Sequence, residues 1–394
     1  MIQIALLFLL CCNFFGVIEI PHAIKAVVLI IIASWGVKKK TPYKTAFIFI
    51  FGGLLCSFIS SYINRGQTFI ESFMAIPYYL GILFYFYLKY KDKSVQDMEH
   101  LLVKFILVYD LMFICQHFLF GMGINFMHIP EWSQGEQLRM RAIASGFYSL
   151  GLFLGLVKLE CKCYNKRLKW QYLAMVIMGL FCMILTAYRQ FFVSFALAFG
   201  IYLLIKNKGI SKKNIFTILG GIILLLILWQ LPIVQEQIGG IFDRQDSGAT
   251  LDNKDYIRVV QWDFYMNGHF FNNGWEHFFG AGLPYFGNAY GHYMNEELAP
   301  LGLLYVDWGL IGQTWVLGTL TVIGYLLMSF KACFMKVNPE YVYIRLWYIF
   351  LLLSVTNAEF TRDGNFLIHA YVIYMAEIAA KDYKMKKSLL CQRK

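Results

Sequence analysis

The stretch TAFIFIFGGLLCSFISSYI, residues 45–63, contains no charged side chain and is bounded by Lys44 and Arg65. A helix of roughly 20 mostly apolar residues crosses the hydrocarbon core of a bilayer, so this stretch predicts a transmembrane helix. Eleven further stretches that are mostly apolar lie at 3–20, 22–37, 69–88, 101–120, 142–159, 170–187, 190–206, 214–232, 302–330, 341–358 and 364–381. The sequence therefore predicts an all-α, polytopic membrane helix bundle with about 12 transmembrane helices.

The composition of the whole chain agrees with this fold class. Its 394 residues are 59% hydrophobic and 15% charged, whereas ordinary soluble domains are about 45–50% apolar and about 25% charged. These values exclude a disordered chain, a soluble globular enzyme and a disulfide-rich secreted scaffold. The first apolar stretch lacks a charged leader and a small-residue cleavage site, so we expect a retained span and not a signal peptide.

The positions of the Lys and Arg side chains predict the orientation. Under a twelve-span arrangement, 26 of the 35 basic residues fall on one side of the membrane, in loops such as 38–44 and 158–169 and in the tail from Lys381. We therefore expect a multi-pass protein with both termini in the cytoplasm. The net charge of +11 then reflects attraction to anionic membrane lipids and not nucleic-acid binding.

One long connection, at residues 233–299, separates the ninth and tenth predicted spans. Loops of this length without a fold of their own are uncommon and often functional. The sequence thus divides into transmembrane helices 1–9 (1–232), a large extracytoplasmic loop that we expect to be catalytic (233–300), and helices 10–12 with a cytoplasmic tail (301–394).

Inside this loop, the segment LDNKDYIRVVQWDFYMNGHF (251–270) predicts a short helix with Asp252 as its N-cap. Helical spacing would place Arg258, Trp262 and Tyr265 on one face. The segment GAGLPYFGNAYGH that follows is too rich in Gly and Pro to predict regular structure.

Arginine is distributed unevenly between the two predicted faces. Seven of the ten Arg residues fall on the outer side, which holds nine basic residues in total, whereas random placement would leave two or three Arg there. A guanidinium offers a planar, bidentate fork that suits phosphate and carboxylate groups. The alternative is that some of these Arg, Arg244 and Arg65 above all, pair with acids of the loop. Arg189 has no acidic neighbour in sequence and lies in a tight turn between two apolar spans, so it needs a partner or a water-filled cavity.

Four elements along the chain resemble the O-antigen polymerase and O-antigen ligase superfamily of bacterial membrane glycosyltransferases. They are RMRAIASGF with Arg139 and Arg141, the turn with Arg189, Arg258 through Trp262 followed by EHFFGAG (276–282), and HYMNEE with His292 and Asn295. The resemblance covers roughly residues 135–320 and extends to one large periplasmic loop late in the chain. The sequence departs from the family in having Tyr188 before Arg189 and two residues between His292 and Asn295.

The resemblance implies a surface-polysaccharide (O-antigen or capsule) polymerase of the bacterial cytoplasmic membrane. Such an enzyme transfers glycan from polyprenyl diphosphate to a lipid-linked repeat unit at the outer face. An O-antigen ligase-type transferase shares this chemistry and stays open as an alternative, and a lipid-linked oligosaccharide flippase or transporter is the alternative of a different class. The implied partners are the lipid-linked oligosaccharide, membrane lipids and a chain-length regulator protein, with no nucleic acid, cofactor or metal.

The predicted roles follow from the chemistry of a diphosphate leaving group. Arg189 and Arg258 are expected to stabilise its charge in the transition state, and His292 to act as the base toward the acceptor hydroxyl. Substrate-binding roles are expected for Arg141, Arg139, Arg244, Trp262, Tyr265, Asn295 and Glu296. In the alternative, Asn295 caps the tenth helix, with Glu296 and Glu297 in its first turn. His369, Glu359 and Asp363 are further candidates for lining the acceptor path.

Overall fold

The computed structural model describes most of the chain as helix. The described residues are 1–129, 140–161, 166–186, 188–207, 230–232, 234–235, 239, 253–267 and 270–392. Among them no strand occurs, and the α-helices are α1 (Ile2–Cys11), α2 (His22–Ser34), α3 (Lys44–Arg65), α4 (Phe69–Ala75), α5 (Phe84–Lys91), α6 (Val95–Phe120), α7 (Gly146–Cys161), α8 (Lys166–Leu185), α9 (Arg189–Asn207), α10 (Ile257–Met266), α11 (Gly274–Phe279), α12 (Ala289–His292), α13 (Gly309–Phe334), α14 (Tyr343–Leu353) and α15 (Asn365–Gln392). The all-α prediction is confirmed for this part of the chain.

Among the described residues, four helical segments are long and apolar enough to cross a membrane, which indicates a membrane protein. They are Lys44–Arg65, Val95–Phe120, Leu168–Leu185 and Tyr305–Phe334. The predicted span 69–88 is instead a bent pair, Phe69–Ala75 and Tyr79–Lys91, whose axes differ by 75°. The remaining predicted spans are shorter or less apolar helices, or, like most of 214–232, lie outside the described residues.

The first predicted span, 3–20, is wrong in its extent. Helix α1 ends at Cys11, and a tight turn at Asn13–Gly16 follows. Asn13, Phe14 and Phe15 all have positive φ there. The apolar residues at 12–16 therefore belong to a turn that is mostly buried, whereas Val17 and Ile18 after it are exposed, and a continuous helix is not formed.

Most lysines of the described residues lie at one end of the bundle, which we call the lysine end. Contacts between helix ends define it: Lys89 pairs with Glu377 at 2.9 Å, and Lys158 pairs with Glu99 at 2.7 Å. Lys91 Nζ donates to Gln3 at 2.8 Å, so the start of α1 lies at this end. Helix α15 also runs toward this end, so both termini of the described chain lie there.

The opposite end, which we call the arginine end, carries Arg65, Arg141, Arg189, Arg258 and Arg362. Its helix ends are joined by backbone contacts. The amide of Ala144 before α7 donates to Asp363 O at 2.8 Å, and the amide of Leu310 in α13 donates to Val355 O at 2.9 Å. The segment 270–308 lies over this end, because Gln67 after α3 donates to Leu283 O at 2.8 Å.

Helix α13 packs against α3 and is broken at Gly318, which has φ +81°. In an unbroken helix, backbone N–H groups bond to the carbonyls one turn earlier. A break removes these donors, so the carbonyls need other ones. The amides of Ala281 and Gly282 donate to Trp315 O and Val316 O, each at 2.9 Å. Ser57 Oγ of α3 adds a bond to Val316 O at 2.8 Å. The break is therefore filled by the segment after α11.

Candidate functional site

The short turn predicted around Arg189 is confirmed. Helix α8 ends at Leu185, and α9 begins at Arg189, whose side chain is half-buried. The next residue fixes the start of α9, because Gln190 Nε2 donates to Leu353 O at 3.3 Å and to Thr356 Oγ1 at 2.9 Å. Arg189 is thus held beside the segment that connects α14 to α15.

Arg141 enters the same region from the segment before α7. Two bonds tie this segment to the start of α15: Ala144 N donates to Asp363 O at 2.8 Å, and Gly146 N donates to Asn365 Oδ1 at 3.0 Å. The connecting segment 354–364 therefore joins the Arg141 and Arg189 segments. Arg139 and Arg244 lie outside the described residues.

Arg362 lies between these two segments and was not among the predicted site residues. Its Nη2 donates to Tyr188 Oη at 3.4 Å, and its guanidinium lies 5.7 Å from the centre of that ring. Its Nη1 lies 3.8 Å from Glu359 Oε2. The sequence held one signal for it, since Arg362 is one of the seven arginines on the predicted outer side.

Glu359 is buried in this network and does not line an open path. Ser145 Oγ donates to its two carboxylate oxygens at 3.1 and 3.0 Å. Burial raises the pKa of the Glu359 carboxyl above its ordinary value, although Arg362 acts to lower it. His369 is also buried, with Nε2 3.1 Å from Phe360 O. Both residues therefore belong to the packing beneath the arginine end.

Helix α10 supplies Arg258 and begins later than predicted. Its first residue is Ile257 and its N-cap is Tyr256, so the prediction that Asp252 caps it is wrong. The cause is local: Asn253 Oδ1 accepts from Asp255 N at 3.1 Å, and Asn253 O accepts from Tyr256 N at 3.0 Å. These bonds hold the preceding residues in a turn.

Arg258 and Trp262, one helical turn apart, lie on the outer part of α10. Arg258 is half-buried and makes no hydrogen bond or ion pair within the described part of the chain. Trp262 is 40% exposed and lies 5.0 Å from the ring of Trp308. Arg65 differs, because it pairs with Glu276, as the alternative of pairing with loop acids predicted.

Tyr265 does not share the accessible surface of Arg258 and Trp262. Its ring is fully buried and stacked on Trp315, with the ring centres 4.3 Å apart. Its hydroxyl donates to Leu303 O at 2.9 Å, and burial raises the pKa of this phenol above its ordinary value. Both parts of the side chain are engaged inside the protein, so we leave Tyr265 out of the candidate site.

The segment EHFFGAG has a structural reason for its glycines. Gly280 and Gly282 have φ of +86° and +87°, which residues with a Cβ rarely adopt. A Cβ on Gly280 would lie 2.4 Å from Gly318 N, and one on Gly282 would lie 2.5 Å from Ser61 Oγ. The two glycines thus allow this backbone to reach the break in α13.

His292 and Glu296 form an exposed pair at the end of α12. His292 Nδ1 lies 2.8 Å from Glu296 Oε1, and the two side chains are 57% and 71% exposed. Asn295 Nδ2 donates to Gly291 O at 2.7 Å. Residues Tyr293–Leu298 form a π-helical stretch, and the next long helix begins at Gly309. The alternative that Asn295 caps the tenth transmembrane helix is therefore wrong.

One connecting segment holds the Arg189 and Arg258 helices. On one side, Thr356 binds Gln190 of α9. On the other, Leu310 N donates to Val355 O at 2.9 Å, and Trp308, two residues earlier, packs on Trp262 of α10. The arginine end thus presents Arg141, Arg189, Arg258 and Arg362 from segments joined by direct contacts.

Within the described residues, no group of three or more His, Cys, Asp or Glu side chains could hold a metal ion. Comparison with protein-family models finds no match. Comparison with curated proteins and with solved structures finds no significant similarity either.

Proposed function

We propose that the chain is a surface-polysaccharide (O-antigen or capsule) polymerase of the bacterial cytoplasmic membrane. It would transfer glycan from polyprenyl diphosphate to a lipid-linked repeat unit. The observation that carries the proposal is the grouping of Arg141, Arg189, Arg258 and Arg362 on connected segments at one end of an apolar helix bundle. Lysine alone would satisfy the charge requirement of topology, so guanidinium groups at one end favour recognition of phosphate.

The twelve-span arrangement is part of this proposal. Both termini of the described chain lie at the lysine end, as an even number of crossings requires. The proposal includes a crossing between α9 and α10, in a stretch that lies mostly outside the described residues. With the lysine end in the cytoplasm, the segment 253–308 would face outward, where lipid-linked repeats are joined.

The proposed reaction forms one bond and breaks one bond. The acceptor hydroxyl oxygen attacks the anomeric carbon, and the bond from that carbon to the diphosphate oxygen breaks with its electron pair leaving on the diphosphate. Arg189 and Arg258, with Arg141, would stabilise the charge that develops there. His292 would take the hydroxyl proton, with Glu296 holding the imidazole at 2.8 Å. No metal or cofactor is needed for these steps.

A lipid-linked oligosaccharide flippase is the second candidate, and one observation favours it. Broken helices are common in transporters, and this chain has breaks after Ala75 and at Gly318. The break at Gly318 is filled by the amides of Ala281 and Gly282, however, so it exposes no backbone for a substrate. We therefore rank the polymerase first, and a ligase-type transferase, which differs in its acceptor, beside it.

Chain growth by purified protein tests the proposal. Protein in detergent, supplied with a polyprenyl-diphosphate-linked repeat and no gradient, should produce a ladder of longer glycans on a gel. Arg258→Lys should abolish the ladder if the bidentate fork matters, whereas Lys254→Ala, the matched loss of an exposed cation, should leave it intact. Absence of any ladder, together with transfer of repeats across proteoliposomes, would identify a flippase instead.

A polymerase and a ligase differ in their acceptor, and the surface glycan of a deletion strain distinguishes them in cells. A deletion strain whose surface glycan is cut to one repeat indicates a polymerase. A strain that keeps long, lipid-linked and untransferred chains indicates a ligase. A chain-length regulator protein would be a partner only in the first case, and its co-purification with the wild-type chain would support that assignment.

A further inference from the structure

Arg362 is a buried cation whose hydrogen-bonding capacity is mostly unused. Its side chain is 9% exposed. A guanidinium has five N–H donors, yet among the described residues its one hydrogen bond goes to Tyr188 Oη, at a long 3.4 Å. Nη1 is buried without a hydrogen-bond partner. Leaving a charged donor buried and unsatisfied is costly, so the arrangement calls for an acceptor that the protein does not provide.

Glu359 does not supply that acceptor. Its nearest oxygen lies 3.8 Å from Arg362 Nη1, beyond hydrogen-bond distance, while Ser145 donates to both of its oxygens at 3.0–3.1 Å. Burial raises the pKa of the Glu359 carboxyl, although Arg362 acts to lower it. Asp363, the next residue, makes no ion pair with Arg362. The positive charge of Arg362 is therefore only partly balanced.

Two further arginine-bearing segments contact Arg362 or the residue next to it. Tyr188, which contacts Arg362, directly precedes Arg189. Asp363, which directly follows Arg362, accepts the amide of Ala144, three residues after Arg141. Three arginine-bearing segments thus meet around one buried carboxyl group. The unused Nη1 of the forked Arg362 guanidinium, at this low exposure, matches an anion that carries several oxygens.

We propose that Arg362 is an anion-binding residue that holds one phosphate of the donor's diphosphate, beside Arg189. This inference rests on the proposed glycosyl transfer and adds a residue to its substrate site. The phosphate oxygens would accept hydrogen bonds from Nη1 and so satisfy guanidinium donors that the protein leaves without a partner. Glu359 and Tyr188 would position the group, which explains why a cation is held between two elements at this depth.

Binding of inorganic pyrophosphate to the full chain in detergent tests the assignment without requiring turnover. We expect titration calorimetry to detect pyrophosphate binding to the wild type. Arg362→Gln should weaken that binding about tenfold or more, since a hydrogen bond to a charged group is strong. Lys254→Gln, which removes an exposed cation at the same end, should change it less than twofold. Binding by Arg362→Gln equal to wild type would overturn the proposal.

A second variant separates binding from a structural role. If Arg362 only neutralises Glu359, then Arg362→Gln should lower the melting temperature and Glu359→Gln should restore it together with pyrophosphate binding, which would overturn the proposal. If Arg362 binds the anion, the double variant should regain the melting temperature and still fail to bind. Absence of pyrophosphate binding by folded wild-type protein would also overturn it.

Failure of the anion-binding assignment of Arg362 can be distinguished from failure of the proposed polymerase function. Pyrophosphate binding that depends on Arg362, in a protein that makes no glycan ladder, keeps the anion site and rejects the polymerase. A ladder made at wild-type rate by Arg362→Gln keeps the polymerase and rejects the assignment of Arg362.

Discussion

Gly280 and Gly318 are in direct backbone contact at the break in α13. A Cβ built on Gly280 would lie 2.4 Å from Gly318 N, and one built on Gly318 would lie 2.2 Å from Phe279 O. Both residues have positive φ, +86° and +81°. The contact lets the segment after α11 supply amides to the carbonyls that the break leaves without partners, so the two glycines join the loop to the membrane helix.

Replacing either glycine should destabilise the protein. For Gly280→Ala we expect a loss of about 2 kcal/mol or more, because left-handed backbone costs an L-residue about 1–2 kcal/mol and the new methyl overlaps backbone atoms. Gly66→Ala is the matched control, since Gly66 has φ +66° and open space around it. Thermal unfolding in detergent, followed by tryptophan fluorescence, should rank Gly280→Ala well below Gly66→Ala. Equal melting temperatures would mean that the contact is loose.

Adjacent glycines in α3 make a second prediction. A Cβ on Gly53 would lie 2.5 Å from Thr321 N of α13, whereas one on Gly52 meets nothing within 4 Å. We expect Gly53→Ala to cost about 1–3 kcal/mol through overpacking and Gly52→Ala to stabilise α3 by up to about 1 kcal/mol. Melting temperatures of the two variants provide the comparison. A stable Gly53→Ala would contradict the close packing of α3 on α13.

The parts of the fold that consist of one long apolar helix could be predicted from sequence. Long apolar stretches such as 45–63 and 101–120 correspond to α3 and α6 because the bilayer selects for length and hydropathy. The bend between α4 and Tyr79 escaped prediction although Pro77, a residue that breaks helices, lies within it. The contact that fixes Tyr79 on the far side of the bend is distant in sequence, since Tyr79 Oη donates to Gln313 Oε1 at 2.6 Å. The break at Gly318 likewise depends on amides from a distant loop.

The site could be predicted by residue type but not by partner. The alternative of pairing with loop acids named Arg65, but it did not identify Glu276, far along the chain, as the partner. Helical spacing placed Trp262 and Tyr265 on one face, yet Tyr265 is buried in a stack on Trp315 while Trp262 is 40% exposed. These partners lie far away in the sequence. Neighbouring residues therefore do not show which side chains are engaged inside the protein and which can contact a substrate.

The buried pair between Arg65 and Glu276 should hold segment 270–308 on α3. Arg65 is 11% exposed and Glu276 is fully buried, and breaking a buried pair by removing one partner costs about 3–5 kcal/mol. Glu276→Gln should therefore raise the rate of proteolytic cleavage in this segment at a temperature where α3 stays intact. Glu297→Gln, at an exposed position, is the control. Equal cleavage rates would show that other contacts hold the segment.

Variants at Tyr265 and Trp262 should distinguish an effect on stability alone from an effect on glycan extension. Tyr265→Phe removes the bond to Leu303 O and should cost about 1 kcal/mol of unfolding free energy with unchanged glycan extension per folded molecule. Trp262→Ala, at a 40% exposed position beside Arg258, should lower extension per folded molecule, and it should also lower the melting temperature because it removes the ring packed on Trp308. The reverse pattern, with Tyr265→Phe inactive and stable, would return Tyr265 to the substrate site.

His292 is exposed, so its replacement should leave folding intact and report on chemistry. If it accepts the proton of the acceptor hydroxyl, His292→Ala should reduce the rate of chain extension by about 10²- to 10⁴-fold. Binding of the lipid-linked donor, measured separately, should stay within a factor of two. Glu296→Gln should have a smaller effect on the rate, because it removes the charge 2.8 Å from Nδ1 but keeps an oxygen acceptor. If His292→Ala extends the chain at the wild-type rate, the proton of the acceptor hydroxyl passes to solvent and not to His292. This result would leave the arginines as the main catalytic groups, in agreement with a diphosphate that departs without acid assistance.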